Sequence, residues 1–126
     1  MKNIAIIEGR LGQDANLAYT SGSKPVTTLS VAINRKWKTE SGEKKEAVDW
    51  ITGKCWGRLA KPASKLQKGD AVAVSGSIRT STYTKDGAKH TFFYIQADHL
   101  RLIDFSIYSN ETSDANDEML VEDYDE

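Results

Sequence analysis

Apolar and polar residues alternate with a period of two along most of this chain, which is the spacing of a half-buried β-strand. Residues 4–11 are apolar and β-branched. Residues 26–37 place Leu29, Val31 and Ile33 on one face and Thr28, Ser30 and Asn34 on the other. Residues 47–57 alternate as well, residues 71–83 bring Val72, Val74 and Ile78 together, and residues 91–103 form the last long run. Ser21-Gly22, Ser41-Gly42, Lys68-Gly69-Asp70 and Asp86-Gly87 punctuate the runs. Asp86-Gly87 predicts a tight hairpin, because both residue types tolerate positive φ. Between the third and fourth runs the period changes. Leu59, Ala63 and Leu66 fall at helical spacing within 58–67, Pro62 suits a first turn, and Lys68-Gly69 stops the helix. The predicted order is β-β-β-α-β-β. This is an all-β chain with one short helix, the order of a five-stranded Greek-key OB-fold barrel, whose helix commonly lies between strands three and four.

The periodicity ends near residue 103. Residues 104–126 are rich in Ser, Asn, Asp and Glu, and disorder is the expected state of such a segment. The chain therefore divides into a domain over 1–103 and an acidic tail over 104–126. Charge follows the same division. The formal net charge is −1, but residues 1–103 hold all 17 Lys and Arg against 9 acidic residues, a net of +8. The tail holds the other 9 acidic residues and no Lys or Arg, a net of −9. A basic domain with an acidic tail suggests a polyanion-binding surface beside an interaction segment. Met119, Leu120, Val121 and Tyr124 interrupt the acidic run, which pure solvation would not require. The 126 residues suffice for one ordinary domain. With no leader-like or membrane-spanning apolar stretch and a single cysteine, Cys55, the expectation is a reducing, cytoplasmic setting with no membrane partner. Cys55 reads as an inert buried thiol.

The third run carries the most chemistry. Alternate residues Val48, Trp50, Thr52, Lys54 and Trp56 share one face, leaving Ile51 and Cys55 to the core. An aromatic–cation–aromatic row suits an unpaired nucleic-acid strand, with bases stacking on rings and phosphates passing the ammonium. The fourth run continues the surface with Arg79 and Tyr83, followed by Lys85 beside the predicted hairpin. Trp37 lies among Arg35, Lys36 and Lys38, yet it has the parity of Leu29, Val31 and Ile33. It meets the binding face only if the strand bulges or curls past the core edge. One tryptophan is ordinarily a packing residue; three beside cations point to nucleic acid. The candidate nucleic-acid-binding set is Trp37, Trp50, Trp56, Tyr83, Arg35, Lys38, Lys54, Arg58, Arg79 and Lys85. An enzyme is not expected. His90 and His99 lack ligand-spaced partners, and neither a nucleophile elbow nor a phosphate loop is present. No metal and no cofactor are expected.

These residues resemble the bacterial single-stranded DNA-binding protein family over about residues 3–103. The resemblance runs from Asn3 through Gly9-Arg10-Leu11-Gly12-Gln13-Asp14, resumes at residues 29–33 and Trp37, and covers residues 46–50. It continues through Cys55-Trp56-Gly57-Arg58-Leu59-Ala60, Leu66, Lys68-Gly69, Val74-Ser75-Gly76-Ser77-Ile78-Arg79-Thr80 and Tyr83. It implies an OB-fold and sequence-tolerant protection of single-stranded DNA in replication, recombination and repair. It also implies a homotetramer, in a bacterial, nucleoid-associated, phage or plasmid setting. It carries the stacking role to Trp37, Trp50, Trp56 and Tyr83, with Trp56 and Tyr83 replacing other aromatics of the family, and it favours a binding role for Trp37. Two departures stand out. Glu8 replaces a usual apolar residue beside a strand used in subunit contacts. The tail ends Glu122-Asp123-Tyr124-Asp125-Glu126 without the terminal Pro-Phe by which replication and repair partners grip such tails. Stacking and phosphate contacts alone leave an RNA-binding OB module open, as they do a replication-accessory protein working through protein contacts.

Overall fold

The computed structural model describes residues 1–103 together with the backbone of residues 118–123. Strand β1 spans Ala5–Leu11, β2 Asn16–Tyr19, β3 Pro25–Lys38 and β4 Lys44–Trp56. A 3-10 turn over Gly57–Leu59 leads into helix α1, Ala60–Ser64, followed by β5 over Ala71–Lys85, β6 over Ala88–Ile103 and β7 over Glu118–Asp123. Five of these strands close a barrel in the order β1-β5-β6-β4-β3, sealed where Arg10 and Leu11 pair with Ala32 and Val31. All contacts around the ring are antiparallel except β4–β6, which run parallel at Gly53–Ile95 and Lys54–Gln96. The barrel closes around Gly9, where an added Cβ would strike the Ala32 carbonyl. This is the predicted all-β barrel with one short helix, in OB-fold order.

Two strands depart from the expected five. The short β2 pairs with the start of β3, Asn16 opposite Thr28 through Tyr19 opposite Pro25. Strand β7 runs antiparallel to β6, beyond the point where β4 leaves it. The expectation of an irregular 104–126 is met by a strand over these six residues. The rest of the tail lies outside the described residues. The helix is shorter than the predicted 58–67, but it buries the predicted side: Leu59, Ala63 and Leu66 enter the core. Thr27, fully buried on β3, donates its hydroxyl to the Ala60 carbonyl at 2.5 Å and fastens the helix to the barrel.

The core collects Leu29 and Val31 from β3, Cys55 from β4, Val72 and Val74 from β5, and Ile95, Ala97 and Leu100 from β6. Strict alternation would send Leu100 outward, because it lies three residues after the inward Ala97. The β5–β6 register shifts between Ser75 and Gly76, opposite His99 and Ala97, so Asp98 is the extra residue of a bulge. The bulge keeps both segments of β6 facing inward. It needs glycine at position 76, since an added Cβ would overlap the Gln96 carbonyl oxygen. The hairpin at Asp86-Gly87 forms as predicted, with φ values of 53° and 80°.

Gly76→Ala should therefore destabilise the barrel by about 3 kcal/mol or more, read as a lower urea midpoint at unchanged m. Burial pushes the Cys55 thiol up to about 12 from an ordinary 9.0. Its folded pKa lies above its unfolded one, so the neutral thiol favours the fold below pH 9.0, and that contribution shrinks as pH rises toward 12. At pH 8 a thiol reagent should label the native protein only as fast as it unfolds, and at full rate in urea.

Candidate nucleic-acid interface

On β4 the outward face forms as its parity predicts. Trp50, Lys54 and Trp56 pair across to Ala32, Thr28 and Val26 of β3, which are too small to cover the rings. Trp50 is 60% exposed, and its ring rests where a Cβ on Gly12 would stand. Trp56 is half-buried at the end of β4. Lys24 reaches over it from the β2–β3 turn, its Nζ 5.6 Å from the ring centroid. That turn is held by the Thr20 amide donating to the Lys24 carbonyl at 2.9 Å, while Thr20 Oγ1 accepts from the Lys24 amide at 3.2 Å.

Strands β5 and β6 extend the face along a hairpin arm. Their register sets Ser77 opposite Gln96, Arg79 opposite Tyr94, Ser81 opposite Phe92 and Tyr83 opposite His90. Tyr83 stacks on His90 at 5.2 Å with the rings 23° apart, and Phe92 lies 5.9 Å from Tyr83 and 6.2 Å from Tyr94. Lys54 reaches these β6 rings from β4, its Nζ 4.6 Å from the Tyr94 centroid and 5.9 Å from Phe92. His90, Phe92 and Tyr94 are absent from the sequence-based candidate set. The signal for them was available: a two-residue turn at Asp86-Gly87 fixes the pairing of Tyr83 with His90, and residues 90, 92 and 94 then share its face. Arg79 lies on this surface with its Nε donating to Ser77 Oγ at 3.2 Å. Lys85 sits exposed at the arm's tip, and Arg58 is exposed on the 3-10 turn after Trp56.

The remaining candidates, Arg35, Trp37 and Lys38, lie on the β3–β4 arm. The pairing of β3 with β4 runs without a shift from Val26–Trp56 to Lys38–Lys44. There is thus no bulge, and Trp37 stays on the face of Leu29, Val31 and Ile33, opposite that of Trp50. It is exposed because the arm outruns the core: residues from Asn34 onward on β3 are all exposed. Trp37 lines a groove of about 360 Å³ with Lys36, Lys38, Lys44, Lys45 and Glu46. Arg35 lies 5.3 Å from the Trp37 centroid and pairs with Asp49 at 2.6 Å. The structure thus gathers Trp50, Lys54, Trp56, Arg79 and Tyr83 on one surface and leaves Arg35, Trp37 and Lys38 on the exposed, basic end of the β3–β4 arm.

No group of three or more His, Cys, Asp or Glu among the described residues could hold a metal ion. No helix among them is long and apolar enough to cross a membrane. The geometry suits an extended, anionic ligand with flat apolar faces. Because Trp50 occupies the space beside Gly12, Gly12→Ala should push its ring aside and shift the protein's tryptophan emission. Gly22→Ala, where a Cβ meets nothing within 4 Å, should leave the spectrum unchanged.

Comparison with known proteins places these features among relatives. The sequence profile described as "Single-strand binding protein family" matches residues 2–103. A single-stranded DNA-binding protein of Caldanaerobacter subterraneus subsp. tengcongensis is 37% identical over 128 residues, covering 99% of this chain and 84% of its own. Single-stranded DNA-binding protein B of Bacillus subtilis is 35% identical over 106 residues, covering 82% of this chain and 92% of its own. In fold, the chain is similar to the Plasmodium falciparum SSB solved in complex with ssDNA, with a TM-score of 0.76 and 24% identity, covering 82% of this chain and 96% of that one.

Proposed function

The chain belongs to the single-strand binding protein family, and on that premise we propose that it binds single-stranded DNA, without strong sequence preference and without catalysis, on the outward face of β4, β5 and β6. The observation that carries this reading is that Lys54, on the β4 face that also carries Trp50 and Trp56, extends its ammonium over the β6 rings of Tyr94 and Phe92. Unpaired bases offer π-faces to Trp50, Trp56, Tyr83, Phe92 and Tyr94, while Lys54, Arg58, Arg79 and Lys85 meet phosphates. Stacking contributes about 1–3 kcal/mol per base and tolerates any base. Duplex DNA keeps its bases stacked on one another and cannot offer these faces. The groove around Trp37, with Arg35 and Lys38, gives the same strand a second basic track on the β3–β4 arm. Covering exposed DNA in this way serves replication, recombination and repair.

Two further features fit the same role. Ile6 on β1 and Ile4 just before that strand are about 70% exposed, with Ile6 beside Ala73 of the buried cluster of Ala71, Ala73 and Ile103. An apolar face of this kind supports self-association into the homotetramer expected of the family, with Glu8 on the same strand tuning the contact. The acidic segment 104–126 serves as the site for protein partners in bacterial, phage or plasmid DNA metabolism.

Tryptophan emission should be quenched strongly by oligo-dT and weakly by duplex DNA of equal length; equal affinity for both would overturn the reading. If Z phosphates are neutralised, log affinity should fall with log salt at a slope of about −0.7Z, and Lys54→Met should make that slope shallower by about 0.7. Phe92→Ala should cost about 1–3 kcal/mol of oligo-dT affinity while leaving the salt slope unchanged.

A further inference from the structure

Asn3 precedes β1, yet its side chain makes the contact that the strand would make next. The β1–β5 ladder is antiparallel and ends where Ala5 faces Gly76. Continued by two residues, that register sets Asn3 opposite Ile78. There the Asn3 side chain takes both backbone groups of the residue it faces. Its Nδ2 donates to the Ile78 carbonyl at 2.8 Å, and its Oδ1 accepts from the Ile78 amide at 2.9 Å. A carboxamide offers a donor and an acceptor side by side, so it can stand in for a peptide unit. The ladder is thereby extended past the end of β1, and Ile78 is the first exposed residue of β5, where the strand leaves the barrel for the hairpin arm. Across the sheet Ile78 faces Ile95, and Ile95 faces Gly53 of β4. This rung is the root of the arm. On its β6 side the arm is held by the two parallel pairs with β4. On its β5 side, among the described residues, no strand pairs beyond Gly76, and Asn3 grips that edge. The β5–β6 register shift at Ser75/Gly76 lies just inside the same rung. A bulge bends its strand and disrupts the local ladder, so pairing of β5 with β6 does not by itself fix the inclination of the arm.

We infer that Asn3 is a positioning residue for the bound strand: by clamping Ile78 it fixes the inclination of the β5–β6 arm and holds Tyr83, Phe92 and Tyr94 in line with Trp50 and Trp56. The inference rests on the single-stranded DNA reading and deepens it. Asn3 acts through the arm and needs no contact with a base. A strand that stacks on both sets of rings requires them at one separation. Without the clamp the arm pivots on its two pairs with β4, and binding must then order it, which weakens affinity without removing any contact group. The Ile78 amide and carbonyl lie at an exposed edge, so water satisfies them once the carboxamide is gone and the barrel is kept.

The test titrates the full chain and its Asn3→Ala variant with oligo-dT. The variant should keep the urea midpoint near that of the wild type, exchange its Ile78 amide with deuterium faster, and bind about 3- to 10-fold more weakly, the cost of ordering one loosely held group. The same substitution is then made in two further backgrounds. In a chain already lacking arm rings, Tyr83→Ala with Phe92→Ala, its effect should shrink below about 2-fold, because the residues through which it acts are gone. In a Trp37→Ala chain, altered on the other arm, it should cost its full amount. Asn3→Asp keeps the size and the acceptor but sets an oxygen against the Ile78 carbonyl. It should weaken binding at least as much, with the same dependence on the arm rings, and it carries the test if Asn3→Ala does not fold. Unchanged affinity despite faster exchange at Ile78, or an equal loss in all backgrounds, would overturn the positioning role. Failure of the wild type to bind oligo-dT would overturn the single-stranded DNA reading instead.

Discussion

A strand residue is buried only where a second layer lies across its face, and in this protein the strands are longer than the layer. Strands β3, β4, β5 and β6 run for 14, 13, 15 and 16 residues, and in each the buried positions cluster toward one end. The barrel and its plugging helix use that end. The surplus becomes two hairpin arms with water on both faces. Alternation then delivers aromatic and basic side chains to surfaces that a shorter strand would not possess. The fold and the candidate site are two parts of the same strands, joined by continuous backbone pairing.

Several of these rings carry a cation. Lys24 covers Trp56, Arg35 covers Trp37, and Lys54 lies against both Tyr94 and Phe92. A cation over a ring face is worth about 0.5–1 kcal/mol at an exposed site, enough to hold an orientation and too little to block a ligand. Stacking of a base on any of these faces requires the cation to leave it. The phosphate that follows each base is the anion nearest to receive that cation. Ring and cation are thus paired at each of these places.

The Asp98 bulge answers a different demand. Strand β6 must pair with β5 along its length and with β4 over a short parallel stretch, while keeping apolar residues inward throughout. One extra residue restores the inward parity of Leu100 after Ala97, at the cost of a backbone approach that only Gly76 permits. Past that point the edge of β6 is free of β4, and β7 takes it.

Local rules applied to the sequence were enough for the barrel order, the inward and outward faces of β4 and the Asp86-Gly87 turn. Each depends on neighbours in sequence: a period of two, or a turn that needs positive φ. The same rules hold the parity of Trp37 and, through the two-residue turn, the face shared by Tyr83, His90, Phe92 and Tyr94. Tertiary structure decided what periodicity cannot contain. Parity assigns a side but not the point where the covering layer stops, so Trp37 could be placed on the core side yet not seen to emerge from it. The four-residue β2 is too short to show a period, and Lys24 meets Trp56 only because the β3–β4 register sets Val26 opposite Trp56. Asn3 and Ile78 stand 75 residues apart in sequence, and only the pairing of β1 with β5 brings them together.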